Sequence, residues 1–286
     1  MDAGTALPRT RLRRLKPPER SHFQGLRRPP LLLAALLAAV PVAQALAAEL
    51  VLYYEERPPL MSRAGDQLVG VQGAPAMAAL QRAGIAVALH EVPVARQVAL
   101  IERNAEPACA LGLYRTAERE KLGRYSRLPV YTSPPQALMI RKDGRLKDVD
   151  RFAQALGSAG TTLALRVGYS YGAETDRALA AAQARIIRSA DNSLSRARLV
   201  LLGVADAALF TAEEGEALIR QMGEAGAALE LRQYVDTPPG AGRYFFCSRA
   251  VPQARLRALD DAMAALRAPG PEPAGRAGSA AGRVGS

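Results

Sequence analysis

The sequence predicts an α/β fold built as two lobes, and three observations carry that prediction. Strand-like and helix-like segments alternate from Glu49 to Arg267, a pattern that argues for α/β architecture over an all-helical bundle or a β-sandwich. Such units stand on both sides of residues 132–137, and a last strand and helix follow Arg243. The 286 residues, 49% of them hydrophobic, suffice for one large or two modest domains with a sizeable core. Two lobes joined by two crossovers accommodate all three.

The first 47 residues stand apart. Basic residues from Arg9 to Arg28 precede the apolar run LLLAALLAAVPVAQALA, and small residues at Ala45 and Ala47 complete the pattern of a secretory signal peptide with a long front end. The alternative is a retained membrane anchor, because Leu31 to Ala48 approaches the length that spans a bilayer. Pro41, Gln44 and the A-x-A pattern favour cleavage after Ala47. This leader holds eight of the 38 Lys and Arg and two of the 27 acids, so the remainder carries 30 minus 25, or +5. A scattered excess of that size is ordinary for an exported domain and implies no nucleic-acid partner. At the other end, residues 269–286 are rich in glycine and proline without apolar periodicity, which predicts a disordered tail.

Between these ends the elements follow from local pattern. ELVLYY is strand-like, Gly73 to Ala83 reads as a helix, IAVALHEV as a strand, and Val94 to Asn104 as a helix with Val94, Val98 and Ile101 on one face. Ala108 to Leu113 is a short apolar run suited to a strand buried on both faces, and polar residues begin abruptly at Tyr114. Thr116 is placed to cap a short helix with Glu118, Arg119 and Glu120 in its first turns. Open α/β sheets hold their ligands beyond such strand ends. Further on, Gln136 to Arg141 and Thr162 to Val167 are strand-like, Ala173 to Ala184 is helical and Arg185 to Ser189 is another strand. Asn192 to Leu202 is helical with Asp191 as its cap, ADAALF is a strand, and Glu213 to Gly223 is a helix.

Strand ends nominate candidate contacts. They are Glu55 and Arg57 after ELVLYY, Gly112 and Tyr114 at the Cys109 strand, and Tyr169, Ser170 and Tyr171 after LALRV. Each tyrosine serves equally well as a core or rim residue. Gly168 to Gly172 also spells G-x-S-x-G between a strand and a helix, the setting of a hydrolase nucleophile elbow with Ser170 as nucleophile. That chemistry needs a histidine downstream, and the chain's two histidines, His22 and His90, both precede the serine. Lys142 and Lys147, the remaining candidate bases, sit upstream in a polar turn. Two cysteines, one histidine beyond the leader and no carboxylate cluster supply no metal-ligand set, so neither catalysis, cofactor nor metal is expected.

One stretch joins these observations to a known family. Thr116 and Arg119 in T-x-x-R spacing, followed by Tyr125, Ser126, Pro129, Val130 and Tyr131, resemble the signature of bacterial extracellular solute-binding proteins, family 3. EERPPLMS with Gly70, Arg96 to Cys109, LALRVGYSYG, RLVLLGVADAALFTAEEGEAL and RYFFCSRAVPQARLRALDDAM resemble that family's other segments in order, over roughly four fifths of the chain. The resemblance implies a type II periplasmic-binding-protein-like fold. Lobe 1 would comprise residues 48–133 and 243–268, and lobe 2 residues 134–242. It further implies a periplasmic, monomeric protein that holds a small polar solute between its lobes for an ABC transporter permease or, alternatively, a membrane sensor. Arg119 takes the position of the arginine that binds an amino acid's carboxylate, a role suited to its planar fork of donors. The competing role is a surface arginine paired with Glu118, Glu120 or Glu102. Two departures stand out. The aspartate that receives the ligand's ammonium is replaced by Thr211, with Glu213 two residues later, and the flanking serines are replaced by Gly112 and Tyr114. An anionic or carboxylate-bearing solute, an amino acid or a related compound, is therefore expected rather than a named one. In the resembled fold the strands of Cys109 and Cys247 are neighbours, which in an oxidising compartment implies either a disulfide or two buried thiols.

Overall fold

In the computed structural model, which describes residues 49–189 and 192–268, two separate sheets organise the chain. The expected signal peptide, the Asp191 cap and the tail lie outside these residues. Among the described residues no helix is long and apolar enough to cross a membrane.

β1 (Leu50–Tyr54) is the ELVLYY run and is almost wholly buried. A hairpin of β2 (Ser62–Ala64) and β3 (Gln67–Val69) leads into α1 (Gly70–Arg82), which starts three residues before the expected Gly73. β4 (Val87–Glu91) pairs parallel to β1, and α2 (Val94–Arg103) turns Ile101, with Val94 and Val98, into a cluster shared with Tyr53 and Phe246. β5 (Ala108–Tyr114) is buried over its whole length and pairs parallel to β1 on the other side. A strand covered on both faces needs no polar alternation, which is why the continuous run ACALGLY forms it. α3 (Ala117–Leu122) is capped by Thr116, whose hydroxyl accepts the Arg119 N–H, and β6 (Arg124–Tyr125) and β7 (Tyr131–Thr132) follow as short strands.

The chain then crosses to the second sheet. β8 (Gln136–Arg141), α4 (Phe152–Gly157), β9 (Thr162–Arg166), α5 (Ala173–Ala180), β10 (Arg185–Ser189), α6 (Ser193–Leu201), β11 (Ala207–Thr211), α7 (Ala212–Gln221) and β12 (Leu229–Arg232) build it in the order β10-β9-β11-β8-β12. β9, β10 and β11 run parallel, β8 pairs antiparallel to β11, and β12 pairs antiparallel to β8 at the edge. Asn192 caps α6 by accepting the Ser195 N–H, and Thr211 caps α7 by accepting the Glu214 N–H. The six residues of α4 and four of β12 fall below the length at which periodicity separates an element from a loop, and neither was expected.

β13 (Gly242–Cys247) returns to the first sheet, which reads β4-β1-β5-β13-β6 with β7 also on β13. α8 (Gln253–Arg267) packs Leu256, Leu259 and Met263 with Ala76 and Leu80 of α1 over that sheet's face. β13 is antiparallel to β5, and its register sets Cys247 opposite Cys109; a disulfide joins the two. The register slips by one residue beside Gly112, which bulges out of β5 at φ 76°. A bulged residue at positive φ is a position that glycine fills without a steric penalty.

Candidate functional site

The ends of β1 and β5 meet the ends of β9 and β11 along a seam between the sheets, and two crossed ion pairs close it. Glu55, just beyond β1, accepts both outer nitrogens of Arg166 at 2.5 and 2.7 Å and also bonds the Tyr169 hydroxyl. Two residues further, Arg57 donates Nε and Nη2 to Glu214 at 3.1 and 2.6 Å. Each lobe thus supplies one acid and one arginine, and all four side chains are 10% exposed or less. Burial alone would raise the Glu214 carboxyl, but the Arg57 guanidinium, with Arg196 and the Ser193 hydroxyl, outweighs it and holds the group down at about 2. In return burial at Arg57 is outweighed by Glu214, with Tyr169 and Glu55 adding to it, and the guanidinium lies well above its ordinary value. Burial, with the nearby Glu55 charge adding to it, pushes the Tyr169 hydroxyl up to about 12, so it stays a neutral donor.

Beside these pairs stands a wall of donors without a counter-charge. Arg119 gives Nη1 to the Tyr114 carbonyl at 3.0 Å and Nη2 across the seam to the Gly168 carbonyl at 2.9 Å. Arg243 gives Nε to Ser133 Oγ at 2.6 Å, Nη1 to the Gly112 carbonyl at 3.0 Å and Nη2 to the Tyr114 hydroxyl at 3.1 Å, with its Cζ 4.0 Å from the Tyr114 ring centroid. Burial, with the Arg57 charge adding to it, pushes the Arg243 guanidinium below its ordinary value. The bulge at Gly112 leaves room for Gln72, whose Oε1 lies 2.5 Å from where a Cβ on Gly112 would stand. Gln72 Nε2 and Gln97 Oε1 are buried without a partner. Gly168 has φ 72°, and a Cβ there would come within 2.7 Å of Ala95 Cβ on α2. Its lack of a side chain lets the lobes touch and brings its carbonyl to Arg119.

Of the residues expected from the sequence, Glu55, Arg57, Gly112, Tyr114, Arg119, Tyr169 and Ser170 line one cavity of about 20 Å³ between the lobes. Thr116, Tyr171 and Thr211 stand elsewhere. The two threonine hydroxyls cap α3 and α7, and the Tyr171 hydroxyl accepts the Arg166 N–H within the second lobe's core. Arg166, Arg243, Glu214, Gln72 and Gln97 were missed. Arg166 had a signal in the single charge that interrupts LALRV, and Arg243 in the charge that opens RYFFC; the glutamines look like ordinary helix residues. Ser170 lies in a turn, its hydroxyl bonded to Asp176 and accepting the Gly172 N–H, with Gly168 and Gly172 both at positive φ. His90, the one histidine beyond the leader, packs edge-on against Tyr53 in the other lobe. The G-x-S-x-G match is thus a glycine-bounded turn whose serine is held by Asp176, with no histidine bonded to it among the described residues. Among the described residues no group of three His, Cys, Asp or Glu side chains is placed to hold a metal.

The architecture recurs in solved structures. An ancestral arginine-binding protein bound to arginine matches at 16% identity and a TM-score of 0.60, over 76% of this chain and 91% of its own. The substrate binding protein of an amino acid ABC transporter matches at 15% identity and 0.58, over 76% and 92%. Holo ArgBP from T. maritima matches at 17% and 0.58, over 76% and 89%. At these identities the likeness shows the fold, and the chain has the two-lobed α/β architecture of periplasmic binding proteins. No protein-family model and no curated protein matches it.

Proposed function

We propose that the chain is an exported solute-binding protein that captures a small carboxylate-bearing solute between its lobes for an ABC-type transporter. Arg119 carries this reading. It is buried, stands beyond the end of a central strand, reaches across the seam, and faces a cavity while its bonds go to the Tyr114 and Gly168 carbonyls and no carboxylate pairs with it among the described residues. A carboxylate matches the guanidinium's planar fork and brings the charge that carbonyls lack. A cavity of about 20 Å³ admits water but no solute, so binding requires the lobes to part. A solute then touched from both sides favours reclosure. Solved proteins of this fold bound to arginine and to glutamine support small-solute capture. The leader supports export, and a Ser170 engaged with Asp176, with no histidine following it in the sequence, supports binding without catalysis.

A thermal-shift screen against amino acids, dicarboxylates, polyamines and small organic anions tests the reading. A solute at a hundred times its Kd stabilises the folded form by about 2.7 kcal/mol, enough for a clear shift. The expected result is a shift with a carboxylate-bearing solute that Arg119→Ala removes. A ligand that binds Arg119→Ala as well as the parent would place the site elsewhere.

A further inference from the structure

Three arginines line the cavity, and one of them, Arg57, is neutralised by Glu214, while the lining Glu55 is spent on Arg166 behind it. Arg119 and Arg243 are 7% and 6% exposed, and among the described residues neither forms an ion pair. They flank one wall residue, since Arg119 holds the Tyr114 carbonyl and Arg243 the Tyr114 hydroxyl. Two buried like charges without a counter-ion disfavour each other, and a solute bringing two negative charges relieves both. A third donor points the same way: Gln72, 2% exposed and in the cavity lining, has no partner for its Nε2.

The acids of the seam are in the opposite condition. Glu55 is filled by Arg166 and Tyr169, and Glu214 by Arg57 and Ser193. Glu213 keeps one buried oxygen without a partner, but its other oxygen holds Tyr131 and the residue is not in the cavity lining. A solute ammonium therefore finds no vacant carboxylate in the lining, where the unpartnered acceptor is the neutral Gln97 Oε1. An amide oxygen suits a hydroxyl better than a desolvated ammonium.

We infer that the site selects a small dicarboxylate without an amino group, one carboxylate on Arg119 and the other on Arg243, with a hydroxyl accommodated at Gln97. This rests on the proposed capture of a solute between the lobes. It departs from the arginine- and glutamine-bound proteins of the same fold.

The test is titration calorimetry of the purified full chain with succinate, malate, butyrate, aspartate and glutamate. Succinate and malate are expected to bind at least about tenfold more tightly than the other three, and Arg243→Gln to remove that advantage. Melting curves accompany each variant. Should Arg243→Gln fail to fold, Gln72→Leu carries the test, with an expected loss of about threefold or more for both dicarboxylates and an unchanged affinity overturning the inference. Equal binding of aspartate and succinate, or an Arg243→Gln variant of undiminished affinity, also overturns it. In those cases, binding that still disappears in Arg119→Ala leaves the capture reading standing. If none of the carboxylates binds, both fall.

Discussion

Arg57 and Arg243 are buried at the same seam, yet one meets a carboxylate through two hydrogen bonds and the other meets only neutral oxygens. The contrast follows from what each strand end faces. β1 delivers Arg57 to the first turn of α7, where free amides and the helix dipole favour an acid and Thr211 fixes the backbone of Glu214. β13 lays Arg243 along its neighbour β5, which presents the bulged Gly112 carbonyl and the Tyr114 ring. The same residue type thus serves two purposes. A paired arginine ties the lobes together, and an unpaired one leaves charge for something that arrives from outside.

The largest effect should come from splitting a pair. Arg57→Ala strands Glu214 in a buried site and is expected to cost about 3–5 kcal/mol in urea unfolding, much of it recovered when Glu214 is also replaced by alanine. If the double variant loses the full sum, the two residues are independent. Glu214 has a lowered folded value of about 2 against 4.5, so its stabilisation is complete above pH 4.5 and disappears as pH falls toward 2. That window should hold roughly 3 kcal/mol, and Glu214→Gln should flatten melting temperature across it. Arg243→Met removes a cation that has no carboxylate and should cost only about 2 kcal/mol. A loss as large as that of Arg57→Ala would erase the distinction between the two arginines. Smallest is Gly168→Ala, about 1 kcal/mol for the positive φ, with a larger radius of gyration in small-angle scattering as Ala95 is pushed away.

Much of the fold was legible because its signals are local. The unbroken ACALGLY run, the Thr116 cap and the glycine-bounded turn at 168–172 each act within a few residues. Strand ends likewise nominated Glu55, Arg57 and Tyr169, since position along a strand is a local property. Their partners were not legible. Arg166 lies 111 residues from Glu55 and Glu214 lies 157 from Arg57, and nothing in either neighbourhood announces the other. Thr211 shows the opposite case: the position that aligns with the family's aspartate carries a hydroxyl engaged in capping α7, a bond set by the helix that follows it.

The bond between Cys109 and Cys247 spans 138 positions, and every strand of the second sheet lies inside that interval. Pulled from its two ends, the molecule therefore carries load through the first sheet and across the sulfur bridge, while the second lobe hangs as a side loop under no tension. A stretching measurement under oxidising conditions should register only the lengthening of the first lobe. Adding reductant removes this mechanical shunt, and the hidden contour of the second lobe then enters the trace.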